Sequence, residues 1–309
     1  MEAVRISVAH DVGGIELMHA RLDRATVPPH MHEEYSISVP VHGGLAFDYR
    51  GCRHAAESGV ISCVAPGEVH NASAAQNGRW EFLNLLVPTA LVRAVLAGME
   101  WRDRMPDLPR RVVSDASLVR RIIALHGLLE ERGELLQRQS GTTMILAEFF
   151  RKHSTASGER VRVRPEVRAV QRARELLHEC FAEPVPLARL ASHAGLSPYH
   201  FLRTFQATVG MTPHRYLNQV RFLEAKRRLS CGDSPAEAAA ACGFYDQSHM
   251  HRQFKRLLLA TPGQYQKALN GALWSGPPAS RAAPADSPPQ SQPSRTVAPP
   301  RRRSPGPSC

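Results

Sequence analysis

The sequence predicts an α+β protein: an N-terminal antiparallel β-barrel with following helices, an all-α C-terminal domain and a disordered C-terminal tail. Three observations predict it. Residues 1–87 are short apolar or alternating runs broken by Gly, Pro and Asn, the texture of short antiparallel strands. A helical period takes over beyond them and holds across residues 165–269,. Residues 270–309 are dominated by Pro, Ser, Ala and Arg and cannot bury enough apolar surface to order themselves. A chain of 309 residues with 43% hydrophobic side chains has room for two domains and a sizeable core,.

In chain order, the strand candidates are Ile15–Met18, Tyr35–Val41, Leu45–Tyr49, Val60–Val64 and Trp80–Val87. Residues 88–153 change period. Leu118, Ile122, Leu125 and Leu129 recur on one helical face, and Met144, Ala147 and Glu148–Phe150 continue a second helix,. These helices either cover the barrel or pair with the same helices of another subunit, so the segment is assigned to dimerisation and relay. Residues 154–164 are a polar linker.

Charge is placed unevenly. Residues 1–160 carry a net −1, residues 161–270 a net +8 and residues 271–309 a net +4. A basic second half beside a neutral first half predicts a polyanion-binding module joined to something else. An Arg-rich composition alone would not leave the first half neutral. No run approaches the roughly 18 apolar residues of a membrane span, and Met1–His10 lacks a secretory signal's pattern. The six cysteines show no C-x-x-C spacing, so free thiols in a reducing cytoplasm are expected.

Two helix-turn-helix units are legible in the basic half. In the first, Ala191 is small where helices cross and Gly195 suits a left-handed turn. Ser197-Pro198 caps and starts the next helix. Phe201 and Phe205 face the core, while Tyr199, Leu202, Arg203 and Gln206 form the opposite face. The second repeats this with Ala239, Gly243, the cap Asp246, the buried pair Met250 and Phe254, and the face Ser248, His251, Arg252 and Lys255. Between them Thr212-Pro213 starts a continuous helix. Leu217, Val220, Leu223 and Ala225 point inward, and Arg221, Lys226, Arg227 and Arg228 largely outward. Such a helix holds two recognition helices about one DNA turn, ~34 Å, apart.

Residues 165–268 thereby resemble the DNA-binding domain of AraC/XylS-type transcription regulators. The resemblance is carried by Leu190-Ala191, Gly195-Leu196-Ser197-Pro198, Gly210-Met211-Thr212-Pro213 and Tyr216. Gly243-Phe244, Asp246-Gln247-Ser248-His249, Phe254-Lys255-Arg256, Thr261-Pro262 and Tyr265 carry it through the second unit. It implies that Tyr199, Leu202 and Arg203 reach base edges from the first recognition helix. Gln247, Ser248, His251 and Arg252 do so from the second, and Lys255 and Arg256 meet phosphates. The family usually has Ile where Pro235 and Ala238 stand and Gly where Leu259 stands. The resemblance therefore predicts smaller side chains in the second unit and a different closing turn.

In the neutral half, His30-Met31-His32-Glu33-Glu34-Tyr35 and Gly59 with Pro66-Gly67-Glu68-Val69-His70 resemble the two signatures of cupin barrels, as found in the effector arm of many AraC-type regulators. The Glu that a cupin metal site adds falls near Ser36 or Ile37, so the ligand set is incomplete and neither metal nor cofactor is expected. His30, His32, His70, Tyr35 and Trp80 are expected instead to line an effector pocket.

The implied protein is a cytoplasmic, nucleoid-associated regulator, an activator by resemblance. Its partners are promoter DNA, RNA polymerase, a small polar effector and a second copy of itself. Two alternatives stand beside it: a cupin-type metal-dependent enzyme with a nucleic-acid module, and an architectural DNA binder that needs no effector. No Ser/His/Asp arrangement, phosphate loop or paired carboxylates demands an enzyme.

Overall fold

A computed structural model describes residues 3–76, 78–97, 105–131, 134–156, 165–270 and 274–275. The N-terminal lobe opens with β1 (Ala3–Ala9), β2 (Ile15–Asp23), β3 (Val27–His30), β4 (Tyr35–His42), β5 (Leu45–Tyr49), β6 (Cys52–Ala56), β7 (Ile61–Val64), β8 (His70–Ala74) and β9 (Arg79–Val87). After α1 (Thr89–Leu96) come β10 (Pro106–Asp107), β11 (Val112–Val113), α2 (Ala116–Glu130), α3 (Leu135–His153) and β12 (Thr155–Ala156). One sheet runs β11-β7-β4-β9-β2-β1, with β13 (Trp274–Ser275) on its edge; a second runs β3-β8-β5-β6, and β10 pairs with β12 apart from both. The expected barrel is thus two antiparallel sheets that, among the described residues, do not close into one hydrogen-bonded ring. Most of residues 154–164 and 270–309, the predicted linker and tail, lie outside the described residues.

Alternation along the strands explains the layering. Tyr35, Ile37 and Val39 of β4 and Leu85 and Val87 of β9 share a core with Leu118, Ile122, Leu125 and Leu129 of α2 and with Phe149 and Phe150 of α3. Their neighbours Ser36, Ser38, Phe82, Asn84 and Leu86 face the other way, into a cavity beneath the second sheet. The helices therefore cover the large sheet. They also leave Leu135, Leu136 and Met144 exposed, at 50%, 74% and 63%. Asp115 caps α2 by accepting a hydrogen bond from the Leu118 amide at 3.0 Å.

His126 of α2 is buried. Burial, with His19 and Arg5 nearby, pushes its pKa from 6.5 down to about 4. Between those values the unfolded chain binds a proton that the fold refuses, so stability falls as pH drops through this window. We predict that His126 accounts for about 2 kcal/mol of stability lost between pH 7 and pH 5. Denaturant melts of wild type and His126→Leu at both pH values check this: the pH slopes should differ by that amount, and equal slopes would contradict it.

The C-terminal lobe comprises α4 (Pro165–Glu179), α5 (Leu187–Ala194), α6 (Pro198–Val209), α7 (Pro213–Ser230), α8 (Pro235–Ala241), α9 (Gln247–Leu258) and α10 (Pro262–Leu269). Ser197, Thr212 and Asp246 cap their helices as the sequence predicts. Ser234 and Glu237 form a capping box ahead of Pro235, so the Pro sits where its missing N–H costs nothing. Leu259 ends α9 in the left-handed conformation, φ 58°. The turn usually made with Gly is therefore kept, at a strain of about 1 kcal/mol.

α7 is the spine of the molecule. Its Tyr216, Leu217 and Val220 join the core of α4–α6, which also takes in Met31 of the N-terminal lobe. Its Phe222, Ala225 and Leu229 join α8–α10 and the sheet residues Val4, Leu22 and Trp80 in one continuous core. Among the described residues, no helix is long and apolar enough to cross a membrane, and Cys52, Cys63, Cys180, Cys231 and Cys242 are free thiols.

Candidate nucleic-acid interface and effector cavity

α6 and α9 each bury one aromatic face. Phe201 and Phe205 are fully buried, as are Met250 and Phe254. The opposite faces stay open. Tyr199, Arg203 and Gln206 are exposed on α6 with Leu202 half-buried; Gln247, Ser248, Arg252, Lys255 and Arg256 are exposed on α9 with His251 half-buried. The Arg203 guanidinium lies 5.9 Å from the Tyr199 ring centre, so the two present a joint cationic and aromatic surface. Tyr245, 94% exposed just ahead of α9, belongs to the same end of that helix. Helical spacing could not find it because it precedes the helix. An exposed polar face on a helix backed by an apolar core is what the major groove accepts.

A cavity lies where the two lobes meet. The space between its walls is about 900 Å³ when the open solvent at its mouth is included. Most of its wall is apolar: Val27, Leu45, Phe47 and Phe82 from the sheets, Phe222 and Leu223 from α7, Leu257–Leu259 from the end of α9. Its polar features are few and grouped. Ser36 and Ser38 both donate to the Asn84 side-chain oxygen at 2.9 Å. His30, His32, His70 and Lys226 also line it. His30 and His70 are register partners at the join of β3 and β8, and their rings lie 4.2 Å apart, centre to centre. Burial is the main reason all three imidazoles sit below the usual His pKa, His30 at about 4.

Tyr35 and Trp80 are not in this lining. Strand alternation turns Tyr35 away from the cavity, against Phe150, with its hydroxyl donating to the Pro106 carbonyl at 2.7 Å. Trp80 is on the cavity side of β9 but lies behind Phe82, stacked on it at 5.0 Å and fully buried. Lys226, expected to point outward, is buried instead. Its Nζ lies 3.0 Å from Glu16 Oε2, to which the Tyr265 hydroxyl also donates at 3.2 Å. Burial alone would lower the Lys226 pKa, but Glu16, Tyr265 and Glu34 together hold it above the ordinary lysine value. The signal was available: Phe222, Lys226 and Leu229 share one helical face. What helical spacing does not show is that the N-terminal lobe covers that face of α7.

Comparison with known proteins matches this arrangement. An AraC-like ligand binding domain model fits residues 12–146, and a helix-turn-helix domain model fits residues 190–268. The HTH-type transcriptional regulator YbfI of Bacillus subtilis (strain 168) is 28% identical over 225 residues, covering 72% of this chain and 81% of that protein. The HTH-type transcriptional activator RhaS of Salmonella schwarzengrund is 25% identical over 245 residues, covering 76% and 86%. Among solved structures, apo ToxT from Vibrio cholerae superposes with a TM-score of 0.54 at 10% identity, covering 82% of this chain and 97% of that one. ToxT with a bound unsaturated fatty acid gives 0.53 at 11%, covering 84% and 96%. At such identities the likeness is one of fold. Both models fall in order on the two lobes, and the chain belongs to the AraC-type transcription regulators, with an AraC-like ligand-binding domain joined to a DNA-binding helix-turn-helix domain.

Proposed function

We propose that this regulator reads a two-part promoter site with α6 and α9 and is controlled by a small molecule in the cavity between its lobes. One observation carries the reading: α7 supports both recognition helices and also forms a wall of the cavity. An occupant that contacts Phe222, Leu223 or Lys226 touches the element on which DNA reading depends. Differential contact of this kind is what effector control requires. The wall favours an effector with an apolar body and one polar end, in keeping with the fatty acid that ToxT holds. Leu136 and Met144, exposed on α3, are apolar side chains through which two copies pair into a homodimer,. The name of the Salmonella relative supports activation, and with it RNA polymerase as a partner, in the cytoplasm at the nucleoid.

The contacts sort into two kinds, and the sorting is testable. Arg203→Ala and Arg252→Ala should each lose about 1–3 kcal/mol of discrimination between the best duplex and its single-base variants. Lys255→Ala should weaken every duplex alike and flatten the dependence of affinity on salt. Titrations of fluorescent duplexes at two salt concentrations measure both. If the Arg and Lys variants affect all sequences equally, the assignment is wrong.

A further inference from the structure

We propose that His30, His32 and His70 form a site for a divalent transition-metal ion at the polar end of the cavity. The spacing in the sequence shows a ligand set that lacks its Glu. The geometry shows three imidazoles already converged, with one ring nitrogen of each within 4.8 Å of the other two.

The protons on these rings decide the chemistry. His30 Nδ1 bonds the Pro28 carbonyl at 2.9 Å, His32 Nδ1 the Glu34 carbonyl at 2.8 Å and His70 Nδ1 the Glu68 carbonyl at 3.1 Å. A carbonyl only accepts, so each Nδ1 carries the ring proton and each Nε2 is left as a lone pair. Lone pairs cannot hydrogen-bond one another. His32 Nε2 is buried and, among the described residues, has no partner. A backbone carbonyl on the far nitrogen is also what orients metal-binding histidines and raises their basicity. The same device appears on all three rings, each time to a carbonyl two residues away.

The frame is stiff where it matters. Cross-strand pairing of His30 with His70 fixes two of the ligands. Met31, between the other pair, is buried in the core of the first helix-turn-helix unit. The one cation among the residues lining the cavity is itself paired: Lys226 is paired with Glu16 at 3.0 Å. Three neutral imidazoles suit zinc, copper, iron or nickel. A zinc ion bonded at about 2.0–2.1 Å sets tetrahedral ligands about 3.3 Å apart, so the rings draw together on binding. Three protein ligands leave a position for water or for an oxygen of the effector. The effector's part in this rests on the cavity being its site; the metal's does not.

Cobalt(II), a coloured stand-in for zinc, tests the site. The full chain is stripped with chelator and titrated at micromolar concentration. The expected result is one Co²⁺ per chain with visible bands of a low-coordinate ion, discharged by Zn²⁺. The bands should vanish in His32→Gln and His70→Gln and persist in His214→Ala, whose imidazole is exposed on α7. Melting curves of each variant show that it is folded. Absence of bands in the wild type overturns the proposal, and so do bands that survive both Gln substitutions. Duplex binding measured on the same samples keeps the two ideas apart. Intact sequence-specific binding without cobalt uptake overturns the metal site alone, whereas cobalt uptake without sequence-specific binding overturns the regulator reading alone.

Discussion

Replacing Lys226 by Met will destabilise the protein by about 3–5 kcal/mol, the cost of leaving one member of a buried ion pair behind. Lys226 and Glu16 are both nearly excluded from water, with side chains 9% and 7% exposed. Glu16 reaches Lys226 and Tyr265 through Oε2, and its Oε1 finds no hydrogen-bond partner among the described residues. Without the ammonium, the carboxylate is left in a low-dielectric site where it must either stay charged at great cost or take up a proton. The Met side chain keeps the volume, so packing does not confuse the result. The double variant Glu16→Gln with Lys226→Met should regain much of the loss, because no uncompensated charge remains. Denaturant midpoints of the wild type, both single variants and the double variant measure it. A Lys226→Met loss below about 1 kcal/mol, the value of an exposed pair, would show that the lobes are not joined there in solution.

Gly243→Ala will cost about 2–5 kcal/mol and Gly195→Ala only about 1–2 kcal/mol, although the two glycines hold equivalent places in the two helix-turn-helix units. Both have positive φ, 72° at Gly195 and 71° at Gly243, so both variants bear the backbone strain of an L residue in the left-handed region. They differ in what a methyl group would meet. At Gly195 the nearest atom is a flexible Arg172 nitrogen at 3.9 Å; at Gly243 it is the Ala182 carbonyl oxygen at 2.3 Å. That backbone must move, which adds an overpacking term of about 1–3 kcal/mol. Thermal and denaturant melts check the ranking. Equal losses at the two sites would mean that α8 does not press on the Ala182 segment as described.

Much of this was legible in the sequence because local chemistry fixes it. Ser197-Pro198, Thr212-Pro213 and Asp246 start their helices for reasons contained within a few residues, and Phe201, Phe205, Met250 and Phe254 are buried because helical spacing puts them on one face. His30, His32 and His70 converge as strand-end motifs suggest. What escaped depends on contacts between distant segments. Tyr35 and Ser36 exchange roles with a one-residue change of strand face, which alternation alone leaves ambiguous when both faces of β4 are buried,. Lys226 reads as a solvent-facing cation until the first lobe is laid on α7. Of the two roles the sequence leaves open to α2 and α3, the fold fills one: their apolar stripe covers the large sheet, and Leu136 and Met144 remain exposed.

Selection of random duplexes by the purified protein tests the central claim most directly. Two recognition helices of like design on one spine predict a site of two short half-motifs about one helical turn apart, with Arg203→Ala erasing preference in one half and Arg252→Ala in the other. Enrichment of a single motif, or of no sequence at all, would contradict a protein that reads DNA with both α6 and α9.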